Sequence, residues 1–183
     1  MFTHFEDIDA KIGFIGPYGR HFTSLREMLG ANSILIEEAQ NFAVFNSLSY
    51  AEAASHDFLF VDIDGLGGIS NVLDRLTTLR VDYPTVPVIL ISDEFKRDDF
   101  ERSRQAIGDI SLRSPIRYSS LEFALFEAPT NNKNWQDNLT EYNQSFAAYL
   151  GVIGTGVGAG AGHTDFVGAN GEIDKVEPNT QYI

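Results

Sequence analysis

The chain contains no cysteine. That excludes a disulfide framework, a thiol nucleophile and a cysteine-ligated zinc site, and it fits a reducing compartment. Positive charge is scarce: 13 lysines and arginines stand against 26 aspartates and glutamates, a formal net charge of −13. Nonspecific nucleic-acid binding needs basic side chains to displace phosphate counterions, and anionic membranes attract basic surfaces. Neither partner is expected. No apolar run approaches the ~20 residues that cross a bilayer. The opening MFTHFEDIDA is acidic early and has no apolar stretch, so it is not read as a secretory signal. The expected location is cytoplasmic.

What is present is the composition of a globular protein: 183 residues, 43% apolar and 21% charged, enough for one domain of ordinary size and an extension. Short apolar runs alternate with helix-length segments as far as residue 129. Lys11 to Gly16 reads as a strand stopped by Gly16-Pro17, and Phe22, Leu25, Met28 and Leu29 then recur at helical spacing. Ser33 to Glu37 predicts a second strand, and Phe42 to Ala54 a helix. Phe58 to Val61 is apolar at every position, the pattern of a strand covered on both faces, and it runs into Asp62-Ile-Asp64-Gly65. Ile69, Val72, Leu73, Leu76 and Leu79 mark an amphipathic helix. Val86 to Ile91 is a fourth strand, stopping at Ser92-Asp93. Phe95 to Ala106 predicts a highly charged helix, Ile110 to Arg113 a fifth strand, and Ser119 a cap for a last helix.

Five strands alternating with helices predict a doubly wound α/β fold with a five-stranded parallel sheet. Chemistry in such folds gathers at the carboxyl ends of the strands, at the loops holding Gly16, Asp62, Asp64, Ser92 and Ser114. Past Ala128 the character changes. Pro129 to Lys133 reads as a linker between a domain over 1–129 and an extension over 130–183. Trp135 to Leu150 reads as one more helix. Gly151 to Gly171 holds eight glycines, a density that predicts a flexible or partner-ordered tail in place of a helix. Its glycine run resembles a nucleotide loop, but it holds no lysine and too little chain follows to build a nucleotide domain. Gly16 to Arg20 lacks the glycine spacing and lysine of a P-loop and reads as a turn. His4, His21, His56 and His163 show no metal-ligand spacing and read as surface or cap residues.

Asp57 to Asp62, Pro87 to Ser92 and Ala106 to Ile116 together resemble the receiver domain of bacterial response regulators, a flavodoxin-like or CheY-like (βα)5 fold. The resemblance covers about residues 10–128. It implies that Asp62 stands at the phospho-acceptor position, Ser92 at the switch hydroxyl and Ser114 at the lysine that pairs with the phosphoryl group. It also implies that an acidic, Mg²⁺-binding pair belongs at Gly16 and Pro17. Neither residue there is anionic, and the aromatic switch position falls on Ser111. Phosphoryl transfer to a carboxylate needs a metal and a cation to neutralise charge. The losses therefore predict a degenerate receiver, with no catalytic residue and no cofactor. Asp62 and Asp64 could hold a metal only weakly, and Mg²⁺ enters only if Asp62 is an active phospho-acceptor. The leading expectation is a phosphorylation-independent module that binds proteins, or a second copy of itself, through the surface of the fourth helix, fifth strand and fifth helix that the family uses. The alternatives are an active receiver switched at Asp62 and a structural protein assembling through its tail.

Overall fold

The computed structural model describes residues 10–30, 35–101 and 103–155. The strands are β1 (Lys11–Ile15), β2 (Leu35–Ala39), β3 (Phe58–Asp62), β4 (Val88–Ser92) and β5 (Ile110–Arg113). They form one parallel sheet in the order β2-β1-β3-β4-β5, which is the predicted topology. The helices are α1 (Arg20–Gly30), α2 (Phe42–Phe45), α3 (Tyr50–Ala54), α4 (Ile69–Asp82) and α5 (Tyr118–Thr155). Two compact units divide the chain, Met1–Ser145 and Phe146–Ile183. The first holds the whole sheet. In the second, residues 146–155 are described and are helical. No helix among the described residues is long and apolar enough to cross a membrane.

Side chains alternate across the sheet with the period of two that a strand imposes, and this makes two cores. Ile12, Phe14, Phe58, Phe60, Ile89 and Ile91 face Phe22, Leu25 and Leu29 of α1 and Leu121, Ala124 and Leu125 of α5. Leu59, Val61, Val88 and Leu90 face Phe45, Ala53, Val72, Leu76 and Leu79 of α2, α3 and α4. β3 and β4 are buried at every position, as their unbroken apolar runs predict.

Five expectations are corrected. The helix expected from Phe42 to Ala54 is two short ones, because two caps compete with continuity. Asn41 accepts from the Val44 amide at 3.1 Å, and Ser49 with Glu52 forms a reciprocal capping box. Ser49→Ala is expected to cost about 1 kcal/mol, measured by urea denaturation. The Ser49 hydroxyl and amide hold the Glu52 carboxyl below its ordinary value. The stabilisation from Glu52 is therefore present at neutral pH and lost as pH falls through its lowered folded value. Ser49→Ala should flatten that acid limb.

The second correction lies between β4 and β5, where no helix forms among the described residues. Phe95 and Ile107 drop into the second core, and the chain between them folds back against β5. Asp99 forms an isolated antiparallel bridge with Ser111, its amide donating to the Ser111 carbonyl at 2.7 Å and its carbonyl accepting from the Ser111 amide at 2.9 Å. Asp98 accepts from the Arg113 amide at 2.7 Å and Asp99 from the Glu101 amide at 3.0 Å. Aspartates that bind backbone amides locally offer the chain an alternative to a helix.

The other three corrections concern α5. It runs through Pro129 and the expected linker without a break, starts ahead of Ser119, and takes in Gly151 and Gly154. Asn131 and Asn132 read as linker residues in the sequence, yet both are buried. Asn131 donates to the carbonyls of Phe100 at 2.9 Å and Asp109 at 3.1 Å. Asn132 reaches the Asp109 carboxylate at 3.4 Å. That carboxylate forms a buried two-point pair with Arg80 at 2.5 and 2.9 Å and accepts from the Val88 amide at 2.8 Å. The Arg80 guanidinium lies 4.1 Å from the centre of the Trp135 ring. Residues beyond Thr155, and with them most of the glycine-rich tail, lie outside the described residues.

Candidate functional site

The carboxyl ends of β1, β3 and β4 bring the candidate residues together. β3 ends in Asp62, which is 4% exposed. One of its oxygens accepts from the Gly65 amide at 2.9 Å and meets His21 Nδ1 at 2.8 Å. The side opposite that oxygen is crowded. A Cβ placed on Gly16 would lie 2.7 Å from the Asp62 Cβ. One placed on Gly65 would lie 2.5 Å from Pro17 Cδ and 2.6 Å from Asp62 Oδ2. Gly16, Pro17, Gly65 and the carboxylate are thus packed in direct contact, and only glycine fits at positions 16 and 65.

His21 and Arg20 enter from the first turn of α1. His21 is buried, and its second ring nitrogen, Nε2, lies 3.1 Å from an oxygen of Asp93. Arg20 pairs with the other oxygen of Asp93. A chain of hydrogen-bonded and ion-paired side chains therefore runs Asp62, His21, Asp93, Arg20. Asp64 accepts from the Ser92 hydroxyl at 2.5 Å and from the Asp93 amide at 2.7 Å. The Ser92 oxygen in turn accepts from the Glu94 amide at 3.0 Å. Ser92 is thus bonded to Asp64, and the two carboxylates that the sequence suggests as a weak metal pair have separate partners. A nitrogen or oxygen from each of His21, Asp64 and Asp93 lies within 4.8 Å of the other two; Asp62 touches this cluster through the histidine.

Ser114 starts a cis peptide bond to Pro115, and its amide donates to the Ser92 carbonyl at 3.0 Å. It borders an open groove of about 340 Å³ whose other lining includes Lys96, Arg97, Arg113 and Arg117. Arg113, the neighbour of the lysine position, is exposed and donates to the Lys96 carbonyl at 3.2 Å. Ser111 is buried with its hydroxyl 3.3 Å from Arg104, so its surroundings are polar where the receiver pattern has an aromatic ring.

Sequence reasoning missed His21, Asp93 and Arg20. Reading the histidines as surface or cap residues is wrong for His21 and His56, each 4% exposed; His4 and His163 lie outside the described residues. His56 spans the Ala53 carbonyl at 2.9 Å and Glu37 at 3.1 Å. The usable signal for His21 was its place in the first turn of the helix that follows β1. That turn opens toward the strand ends.

No protein-family model and no curated protein matches the chain. Solved structures do. A response regulator receiver domain protein from Clostridium thermocellum is 17% identical, with 68% of this chain and 97% of that one covered at a TM-score of 0.51. A response regulator from Thermotoga maritima is 17% identical, with 66% and 98% covered at 0.51. A putative pilus assembly-related protein from Burkholderia pseudomallei is 17% identical, with 72% and 96% covered at 0.54. The fold is that of a CheY-like receiver domain.

Proposed function

We propose that the chain is a phosphorylation-independent receiver-like module of a signalling pathway, acting by binding another protein and not by catalysis. The observation that carries this reading is the state of Asp62. One carboxylate oxygen is engaged by His21 and the Gly65 amide, and the other has so little room beside Gly65 and Pro17 that a Cβ at Gly65 would lie 2.6 Å from it. Mg²⁺ prefers an octahedral array of oxygens, mostly water and carboxylate, and Gly16 and Pro17, at the positions of the acidic pair, supply no carboxylate. The residue at the lysine position is Ser114, whose side chain carries no charge to pair with a phosphoryl group on Asp62.

The binding surface is supported by side chains beside β5 and on the first turns of α5. Tyr118, Phe123 and Phe126 are 42%, 38% and 59% exposed. The groove lined by Lys96, Arg97, Arg113 and Arg117 ends next to Tyr118 in the chain. Aromatic residues and arginine are the types enriched in protein interfaces. The test is quantitative capture of partners by the intact chain. Acetyl phosphate with Mg²⁺ is expected to leave capture unchanged, and Phe123→Glu with Arg117→Glu to reduce it about tenfold or more. Capture that rises with the phosphate donor would return Asp62 to the role of an active acceptor. Equal capture by the double variant would move the interface elsewhere.

A further inference from the structure

We propose that His21, Asp64 and Asp93 form a binding site for one divalent transition-metal ion of the zinc, nickel or cobalt class, with Asp62 orienting the histidine from behind. The inference does not depend on the proposed function.

It begins with the imidazole. A neutral ring carries one N–H and one lone pair. In His21 both ring nitrogens face carboxylate oxygens, Nδ1 toward Asp62 at 2.8 Å and Nε2 toward Asp93 at 3.1 Å. The side chain is only 4% exposed, so the ring is fixed between these two carboxylates. Asp62 on Nδ1 leaves Nε2 as the ring atom that faces Asp93, with Asp64 beside it. A divalent ion held by Nε2, Asp93 and Asp64 would use all three as donors. The three donors already lie within 4.8 Å of one another, a span that small side-chain rotations close onto an ion bound at about 2.0–2.2 Å.

The surroundings fit. A carboxylate accepting the second N–H of a metal-bound histidine fixes its tautomer and ring orientation, and Asp62 is placed to do this. Ser92 and the Asp93 amide hold Asp64, and Arg20 holds the far oxygen of Asp93. Asp93 is about a third exposed, at 35%, which leaves an entry path. Mixed nitrogen and oxygen donors select borderline ions, whereas Mg²⁺ prefers oxygen alone. The ligands also differ from the acidic pair that the receiver resemblance assigns to Mg²⁺, whose positions are Gly16 and Pro17. The ion would join α1, the loop after β3 and the residue after β4.

The test is titration of the full chain with Zn²⁺, Ni²⁺, Co²⁺ and Mg²⁺ by calorimetry, with the visible absorption of Co²⁺ reporting nitrogen ligation. The wild type should bind one ion more per chain than His21→Gln. Asp62→Asn should weaken that ion about 10–100-fold, and Mg²⁺ should not displace it. Asp64→Asn with Asp93→Asn is the second variant, and circular dichroism checks that each variant is folded. Any ion bound at other histidines stays in every variant and subtracts out. The proposal fails if wild type and both ligand variants bind alike. It also fails if no transition metal binds, or if Mg²⁺ competes on equal terms.

Discussion

Asp109→Ala is expected to destabilise the domain by about 3–5 kcal/mol, the cost of leaving a buried charge without its partner. The charge left behind is Arg80, which is 1% exposed. Its Nε already finds no hydrogen-bond partner among the described residues, so losing the two-point pair with Asp109 leaves the guanidinium with the Gln105 carbonyl at 3.2 Å and the Trp135 ring. The same change frees the Val88 amide at the start of β4. Arg80→Ala should cost a comparable amount. Removing both partners should cost clearly less than the sum, because the unpaired charge is then gone. Urea denaturation of the two single variants and the double one measures this. A sum that is simply additive would mean that the pair acts through packing alone.

The same group sets a pH dependence. Burial raises the Asp109 carboxyl above its ordinary value of 3.8, against the opposing pull of Arg80, the Val88 amide and Asn132. The native state therefore keeps this proton after the unfolded chain has released it. The contribution is fully present below the unfolded value and declines as pH rises through the higher native one. The stability difference between wild type and Asp109→Asn should shrink over that window.

Gly16→Asp, which puts an acid where the receiver pattern has one, is expected to cost about 1–3 kcal/mol through overpacking. The new Cβ would lie 2.7 Å from the Asp62 Cβ and 3.0 Å from the Phe14 ring. Asp62 ends a central strand and Phe14 sits in the first core, so neither can yield without moving its strand. The place that the receiver resemblance gives to an acidic pair is thus not a vacancy that one substitution fills: Pro17 lies against Gly65 and His21 against Asp62. Thermal melting reads the destabilisation, and beryllofluoride with Mg²⁺ should produce no chemical-shift change at Ser92 in this variant. Unchanged stability would show that the loop after β1 relaxes easily.

The sheet was legible because its signals are local. Phe58 to Val61 and Val88 to Ile91 are apolar at every position, and only a strand covered on both faces asks for that. Asp62 was legible because it stops such a run. The site around it was not, because its geometry is tertiary. His21 is separated from Asp62 by 41 residues and from Asp93 by 72, and nothing in the spacing of those residues links them. The stretch from Asp93 to Arg104 misled by composition. Its charges look like a solvated helix, yet Asp98 and Asp99 each accept from a backbone amide with one oxygen and from Ser120, Ser103 or Arg104 with the other. Asn131 and Asn132 misled in the opposite sense, since residues typical of loops here satisfy buried carbonyls within a helix.

The bridge between Asp99 and Ser111 bears on colloidal behaviour. A parallel sheet ends in two strands whose outward amides and carbonyls can template another chain and seed fibrils. Here the β5 margin is already paired by its own preceding loop. The β2 margin is guarded differently, by Glu37 and Glu38 within a five-residue strand. Concentrated solutions should therefore resist stacking, and replacing Glu37 and Glu38 by valine should open strand-to-strand aggregation at β2.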